Sequence, residues 1–346
     1  MGSTHVVIMA GGIGSRLWPL STPEVPKQFI DVLGTGKSLI RMTLERFRSV
    51  ADNFWVVTSE RYVGQVREQL PEVPADQILA EPEPRNTAPC IAYACWKIRA
   101  RYPDANIVVT PADAIVQKTD VFADAIAKAL RFTDSSDAIV TLGITPSRPE
   151  TGYGYIHASS AVPGEIVKVL AFKEKPDLPT AQGYLAAGGY FWNAGIFVWN
   201  VGTITDAIRA YAPQIAGVMD RLAPSFYTEE EAAEVRAHFA ECEKISIDYA
   251  VMEKSRNIHT IACDPRWSDL GNWSAVREQL PLDGNGNAVV GGDVRLHDCR
   301  GCIVHADGSR TAILQGLSDS IVCVREGNVL VCKLSDEQHI KEYCGG

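Results

Sequence analysis

Apolar residues over the first 145 positions alternate between two rhythms. Short runs of strand-favouring residues at His5–Ala10, Phe54–Thr58, Ile78–Glu81, Asn106–Thr110 and Asp137–Thr145 predict strands. Helical spacing falls between them, at 38–50 with Ile40, Leu44 and Phe47 on one face, and at 60–70, stopped by Pro71. It recurs at 88–101 and at 120–132, where Phe122, Ile126 and Leu130 stand at i, i+4 and i+8. Such alternation predicts an α/β fold with a mostly parallel, helix-covered sheet. Ligands in such sheets sit beyond the carboxyl ends of the strands, which selects Gly11–Arg16, the loop after Glu81, and Thr110–Asp113.

The pattern changes after about residue 150. Gly152–Ile156, Ile166–Glu174 and the aromatic run Tyr190–Trp199 read as strands, and helices are predicted over 201–240, where Glu229–Glu231 suits a helix's first turn. Trp267–Trp273 leads into a helix ending near Leu280, and Asp283-Gly-Asn-Gly-Asn287 marks a boundary. Residues 288–334 are strand-like and turn-rich. The expected organisation is a catalytic domain over 1–281 and a small β domain over 282–346.

Composition narrows the class. The chain has 346 residues, 46% of them hydrophobic, with no long uncharged apolar run, so a soluble globular protein is expected. A formal net charge of −9 argues against nucleic acid or an anionic membrane as the main partner. It leaves room for a nucleotide, which needs only a few local cations and a metal ion. Nine scattered cysteines and no recognisable export signal point to reduced thiols and a cytoplasmic location. Val6 stands where a myristoylation signal wants Ser or Thr, so no lipid anchor is expected.

Candidate chemistry starts at the end of the first strand, in Gly11-Gly-Ile-Gly-Ser-Arg16. Glycines let the backbone approach a ligand closely, and backbone N–H groups with a guanidinium suit a polyphosphate. Leu17 stands where the dinucleotide fingerprint needs its third glycine, and Asp31 where a Walker A loop ending at Gly36-Lys37-Ser38 needs its first. Gly34–Gly36 therefore reads as a turn and Ser38 as a helix N-cap. Lys27 could neutralise phosphate or be a solvated surface lysine.

In Glu81-Pro-Glu-Pro-Arg85-Asn-Thr-Ala-Pro89, Thr87 reads as an N-cap and Pro89 as a first-turn residue. Arg85 and Asn86 are left to face a base; Arg, Asn and Glu together can satisfy guanine, and such a loop can accommodate other bases too. Asp113 and Asp269 could hold Mg²⁺, or serve as turn and cap residues. Glu174 and Lys175 reach one ligand only if the strand breaks before Pro176. Asn193 needs a backbone or substrate partner. His297-Asp-Cys299-Arg-Gly-Cys302-Ile-Val-His305 has one Cys pair whose spacing matches no strong zinc template.

Taken together, Gly11–Ser21, Pro26-Lys-Gln-Phe29, Arg85–Pro89, Glu174-Lys-Pro176, Ser246–Lys254 and Trp267-Ser-Asp-Leu-Gly-Asn-Trp273 resemble the sugar nucleotidyltransferases, and within them the mannose-1-phosphate guanylyltransferases. The resemblance runs from residue 5 to about 280. It implies a Rossmann-like α/β domain, then a small C-terminal β domain, often a truncated left-handed β-helix that supports a homodimer. The implied substrates are GTP and mannose 1-phosphate, and the implied cofactor is Mg²⁺ on Asp113 and Asp269.

Gly11, Gly12, Gly14, Ser15 and Arg16 would then hold the triphosphate, and Lys27 would contact phosphates. Arg85, Asn86 and Thr87 would lie at the base, and Gly152, Glu174, Lys175 and Asn193 at the sugar phosphate. Arg16, Lys27 and Lys175 are the expected catalytic cations. Two positions depart from the family pattern: Ala114 where His follows the metal aspartate, and Ala194 where Ser follows the asparagine. Alternatives within the same fold are another sugar 1-phosphate or nucleotide, or a non-catalytic sugar-nucleotide-binding regulator.

Overall fold

The computed structural model describes residues 2–12, 14–51, 53–308 and 311–344. The chain condenses into two compact units. One comprises Met1–Gly11, Leu44–Ala112 and Val116–Trp267, and the other Gly12–Thr43, Asp113–Ile115 and Ser268–Gly346. The boundary expected at 281/282 divides the chain along its length, whereas these units divide it in space.

The strands of the first unit are β1 (Thr4–Ala10), β2 (Asn53–Ser59), β3 (Ile78–Glu81), β4 (Asn106–Pro111) and the two-residue β5 (Ile115–Val116), whose second residue lies here. They continue with β6 (Ile139–Ile144), β7 (Tyr155–Ala158), β8 (Ile166–Lys173), β9 (Tyr190–Asn200) and β10 (Ile258–Cys263). Nine of them form one sheet in the order β3-β2-β1-β4-β9-β6-β10-β8-β7. β1, β2, β3 and β4 pair in parallel, as do β6 and β10, and β9 runs antiparallel between the two sets. The sheet is therefore mixed, with β8 and β9 reversed against the other seven.

β1 is central because Val6, Val7 and Ile8 are fully buried, as a strand covered on both faces requires. Helix α1 (Leu39–Phe47) starts one residue after Ser38, whose carbonyl accepts from Met42 N. Helices α2 (Val63–Gln69), α3 (Thr87–Arg101) and α4 (Thr119–Asp134) follow, close to their predicted places. Farther along are α5 (Leu178–Ala187), α6 (Val201–Tyr211), α7 (Pro213–Leu222) and α8 (Glu231–His238). α3 is buried from Ala88 to Ile98 without interruption, so it has no polar face. Its polar groups are paired instead: Trp96 Nε1 donates to Asp220 at 2.7 Å, and the Lys97 ammonium to Glu231 at 2.6 Å.

The register of β6 against β9 shifts between Thr141 and Gly143. A bulge of this kind re-aims the side chains beside it, and here it sets Asn193 opposite Gly143. Gly152 and Tyr153, predicted as strand, lie in a bend before β7.

In the second unit, β11 (Trp267–Ser268) contributes its second residue and α9 (Trp273–Arg277) follows. Then come β12 (Ala288–Val290), β13 (Asp293–His297), β14 (Ile303–Ala306), β15 (Thr311–Gln315), β16 (Ser320–Arg325) and β17 (Asn328–Lys333). β12, β14 and β16 stack in parallel, placing Ala288, Ile303 and Ile321 in register, and β13 pairs in parallel with β15. The steps from 288 to 303 to 321 are unequal, which is why no fixed repeat stands out in the sequence. One apolar core joins Leu17, Leu20, Ile30, Trp273, Ile303 and Ile321.

Asn287, in the predicted boundary turn, ties the first coil: its amide donates to Cys299 O and accepts from Cys302 N, each at 3.0 Å. The Cys299 and Cys302 thiols are buried and point at backbone carbonyls. Among the described residues no three His, Cys, Asp or Glu side chains converge as a metal cage. No helix is long and apolar enough to cross a membrane.

His5 supplies a pH test of the first unit. Trp55 Nε1 donates to His5 Nδ1 at 2.9 Å, so Nε2 carries the hydrogen, 2.8 Å from Ser3 Oγ. Burial pushes its pKa down to about 4, below the usual 6.5. The unfolded chain therefore takes up this proton first, and the contribution is full above pH 6.5 and lost as pH falls toward 4. Urea unfolding at pH 7 and pH 5 should show wild type losing about 2 kcal/mol more than a His5→Gln variant; equal losses would contradict the assignment.

Candidate active site

The glycine loop closes its own turn. Gly14 adopts φ +75° and precedes a single 3₁₀ turn, Ser15–Leu17. A Cβ at Gly14 would meet Lys27 Cβ at 2.7 Å and Ser21 Oγ at 3.3 Å, so both conformation and packing demand glycine. Ser21 Oγ donates to Gly14 O at 2.8 Å and fixes the loop from the other side. Leu17 is buried and anchors the turn, which leaves Arg16 exposed on it. Gly12, by contrast, has open space where a Cβ would stand.

Lys27 is not a surface lysine. It is buried on its own 3₁₀ turn, Lys27–Phe29. Its ammonium lies 2.8 Å from Asp113 Oδ2 and donates to Asp269 O at 2.6 Å and Leu270 O at 3.4 Å. An ammonium has three hydrogens, and protein oxygens take all of them. Asp113 keeps about a third of its side chain exposed, at 35%. Asp269 is not the cap of the following helix, as one reading allowed: Asn272 caps α9 by accepting from Ala275 N at 2.8 Å. Asp269 Oδ1 instead accepts from Gly271 N at 3.0 Å in a local turn. Ala114 is buried.

In the first unit, Gly11 follows β1 and Glu81 ends β3. Glu81 Oε2 lies 3.8 Å from where a Gly11 Cβ would stand, an ordinary contact distance. Glu81 is buried, and its Oε1 has no partner among the described residues. Burial alone pushes its pKa up to about 8. Arg85 pairs with Glu83 at 2.6 Å, and its buried Nε is also unpartnered.

The cap expected at Thr87 is supplied by Asn86. Asn86 stands at φ +69°, exposed, and accepts from Thr87 N at 2.8 Å. With ψ at −175° it occupies a region that glycine alone adopts freely, held there by this hydrogen bond. Thr87 Oγ1 is thereby free to accept from Ile247 N at 2.9 Å.

Of the remaining predicted residues, Glu174, Lys175 and Asn193 gather near the end of β8, and Gly152 contacts none of them. That strand stops at Lys173, and Lys175 takes φ +46°, the break that the reading of Glu174 and Lys175 required. Lys175 Nζ lies 2.7 Å from Glu174 Oε1. Asn193 Oδ1 accepts from Gly195 N at 3.1 Å, and Thr141 Oγ1 donates to it at 3.1 Å. Gly152 is exposed and donates its N–H to Glu150 at 3.0 Å.

Two residues join this group that the sequence reading passed over. Gly154 is required because a Cβ there would stand 2.5 Å from Glu174 Oε2. Asp248 begins a π-turn, Asp248–Met252, and accepts from Asn193 Nδ2 at 3.2 Å. Burial, and after it the Glu174 carboxylate, pushes its pKa up to about 6. Both stand in motifs legible in the sequence, Gly152-Tyr-Gly and Ser246-Ile-Asp.

A family model described as nucleotidyl transferase matches residues 5–284. The chain belongs to the nucleotidyl transferase family. It is 34% identical over 344 residues to the alginate biosynthesis protein AlgA of Pseudomonas aeruginosa, covering 97% of this chain and 70% of that one. It is 35% identical over 343 residues to the mannose-1-phosphate guanylyltransferase of Escherichia coli, covering 97% and 72%. The solved structure of a Thermus thermophilus protein, described as mannose-1-phosphate geranyltransferase, superposes with a TM-score of 0.90 at 29% identity, over 99% of this chain and 98% of that one. The Rossmann-like nucleotidyl transferase α/β fold is thereby shown for this chain.

Within that fold, the two loop glycines should respond differently to substitution. Gly14→Ala should cost about 1–3 kcal/mol in urea unfolding, from backbone strain and the Lys27 contact. Gly12→Ala should stay within about 0.5 kcal/mol of wild type. Equal costs would contradict the packing described.

Proposed function

We propose that the chain transfers GMP from GTP to mannose 1-phosphate, giving GDP-mannose and pyrophosphate. The likeness, over nearly all of this chain, to a relative named for that reaction carries the reading. A sugar-phosphate oxygen attacks the α-phosphorus in line with the departing pyrophosphate. That oxygen is already anionic at neutral pH, so no general base is needed. The obstacle is bringing two anions together, which cations and backbone N–H groups relieve.

Arg16, with the backbone of Gly11, Gly12, Gly14 and Ser15, holds the triphosphate. Lys27 holds Asp113 and the carbonyls at 269–270 in place, since its hydrogens are already taken. The Lys27 ammonium ties the Asp113 carboxylate and the Asp269 backbone carbonyl, and the two aspartate carboxylates are hard oxygen donors that would suit Mg²⁺, with water and phosphate oxygens as its other ligands. When bound there, Mg²⁺ supplies charge that lowers repulsion and stabilises the pentavalent transition state.

Glu81, Arg85, Asn86 and Thr87 line the base subsite. The unpartnered Glu81 oxygen suits the N1–H and N2–H donors of guanine, and the unpartnered Arg85 Nε suits its O6 acceptor. Gly152, Glu174, Lys175 and Asn193 take the sugar phosphate. The coiled C-terminal strands form a truncated left-handed β-helix, and the enzyme works as a cytoplasmic homodimer.

Pyrophosphate release from purified protein with Mg²⁺, across four nucleotides and several sugar 1-phosphates, tests the reading. GTP with mannose 1-phosphate should be the preferred pair, and EDTA should abolish turnover until Mg²⁺ is restored. Arg16→Ala and Asp113→Ala should each lower turnover by about 10²–10³ in folded protein. Wild-type rates in either variant would overturn the roles given to them.

A further inference from the structure

Asp248 is unusual in lying beside another carboxylate with little to compensate it. Its neighbours are Glu174, whose charge raises its pKa, and Lys175, which pairs with Glu174 and keeps 61% of its side chain exposed. Ser246 and Asn193 donate to it.

The Asn193 amide can be oriented from its partners. Gly195 N–H is a donor and nothing else, so it must face Oδ1, and the nitrogen then faces Asp248. With Thr141 also on Oδ1, both of that oxygen's lone pairs are used. One Nδ2 hydrogen goes to Asp248, and the other has no acceptor among the described residues. Gly154 leaves the Glu174 carboxylate just enough room, at 2.5 Å from a Cβ position, to stand beside Asn193.

The cluster thus presents two carboxylates that want donors and one amide hydrogen that wants an acceptor. A hydroxyl group is both at once, and neighbouring ring hydroxyls present that pair of functions side by side. A phosphate would be repelled by the two carboxylates, and an apolar group would offer nothing to their remaining lone pairs or to the second amide hydrogen.

The geometry points to Asp248 as a further specificity-determining residue, which with Glu174 accepts hydrogen bonds from neighbouring ring hydroxyls of the sugar 1-phosphate while it holds the Asn193 amide as a donor to them. This rests on the sugar-phosphate subsite of the proposed function. Specificity follows because a buried acceptor left unpaired penalises a sugar that lacks the matching hydroxyl.

The test measures kcat and KM for wild type, Asp248→Asn and Gly154→Ala, with mannose 1-phosphate and with analogues lacking one ring hydroxyl at a time. Asp248→Asn should raise KM for the sugar 1-phosphate by about 10–100-fold, the worth of a hydrogen bond to a charged group. KM for GTP should stay within about twofold, because the base and triphosphate groups are untouched. For one analogue, wild type should discriminate by at least that factor and Asp248→Asn should not. Gly154→Ala, by displacing Glu174, should weaken the sugar and not the nucleotide.

A purely structural role would move both KM values and the unfolding temperature together, and would leave the discrimination intact; that result overturns the inference. If wild type turns over no substrate pair, the proposed function fails on that measurement alone, and calorimetric binding of GDP-mannose decides the inference. Weaker binding to Asp248→Asn than to wild type would sustain it, and equal binding, or none to wild type, would overturn it.

Discussion

A buried ammonium must be paired, and the pairing of Lys27 organises the second unit. Lys27, in the loop after the first strand, draws its partners from two other stretches of chain, so that three are joined: its own loop, Asp113, and the carbonyls of Asp269 and Leu270. An uncompensated charge at that depth would cost several kcal/mol, so the three stretches are held together whenever the unit is folded. Gly14 completes the arrangement by lying against Lys27 with no side chain of its own. The glycine loop is therefore shaped as much by a lysine thirteen positions on as by any ligand, and Arg16 is exposed because Leu17 is anchored.

The first unit solves a related problem by local irregularity. A bulge in β9 sets the place of Asn193, a left-handed residue at Lys175 ends β8, and another at Asn86 caps α3. The two left-handed residues sit at the ends of elements, whereas the bulge lies inside β9. Backbone strain of this kind is tolerated where the surroundings over-determine it, and the hydrogen bonds of Asn86 and Asn193 supply that here. Glu81 is the exception. Its carboxyl is buried with one oxygen unpartnered, a cost that a base with two N–H donors would remove.

Much of this was legible in the sequence, and the failures have physical causes. The five strands expected up to residue 145 fell within a residue or two because buried strands are unbroken apolar runs, whereas the two-residue β5 was not expected. The reversal of β9 was not legible, because a strand buried on both faces looks the same in either direction. The coils after residue 288 hid their stacking in unequal turns.

Among site residues, Thr87 looked like a cap by type, yet the Asn86 side chain accepts the Thr87 N–H, and the Thr87 hydroxyl serves Ile247 N instead. Lys27 read alone favoured the surface, since nothing local announces a carboxylate 86 positions away. Gly154 and Asp248 stood in quoted motifs, but their roles depend on a contact with Glu174 that spacing does not reveal.

The central claim is that these residues carry guanylyl transfer to a sugar 1-phosphate. Following purified wild-type protein with GTP, mannose 1-phosphate and Mg²⁺ by ³¹P NMR tests it directly. The account predicts loss of the γ- and β-phosphate signals of GTP in step with the appearance of GDP-mannose and pyrophosphate. Release of inorganic phosphate with no sugar nucleotide formed, or sugar-nucleotide formation with every other nucleotide but not GTP, would contradict it.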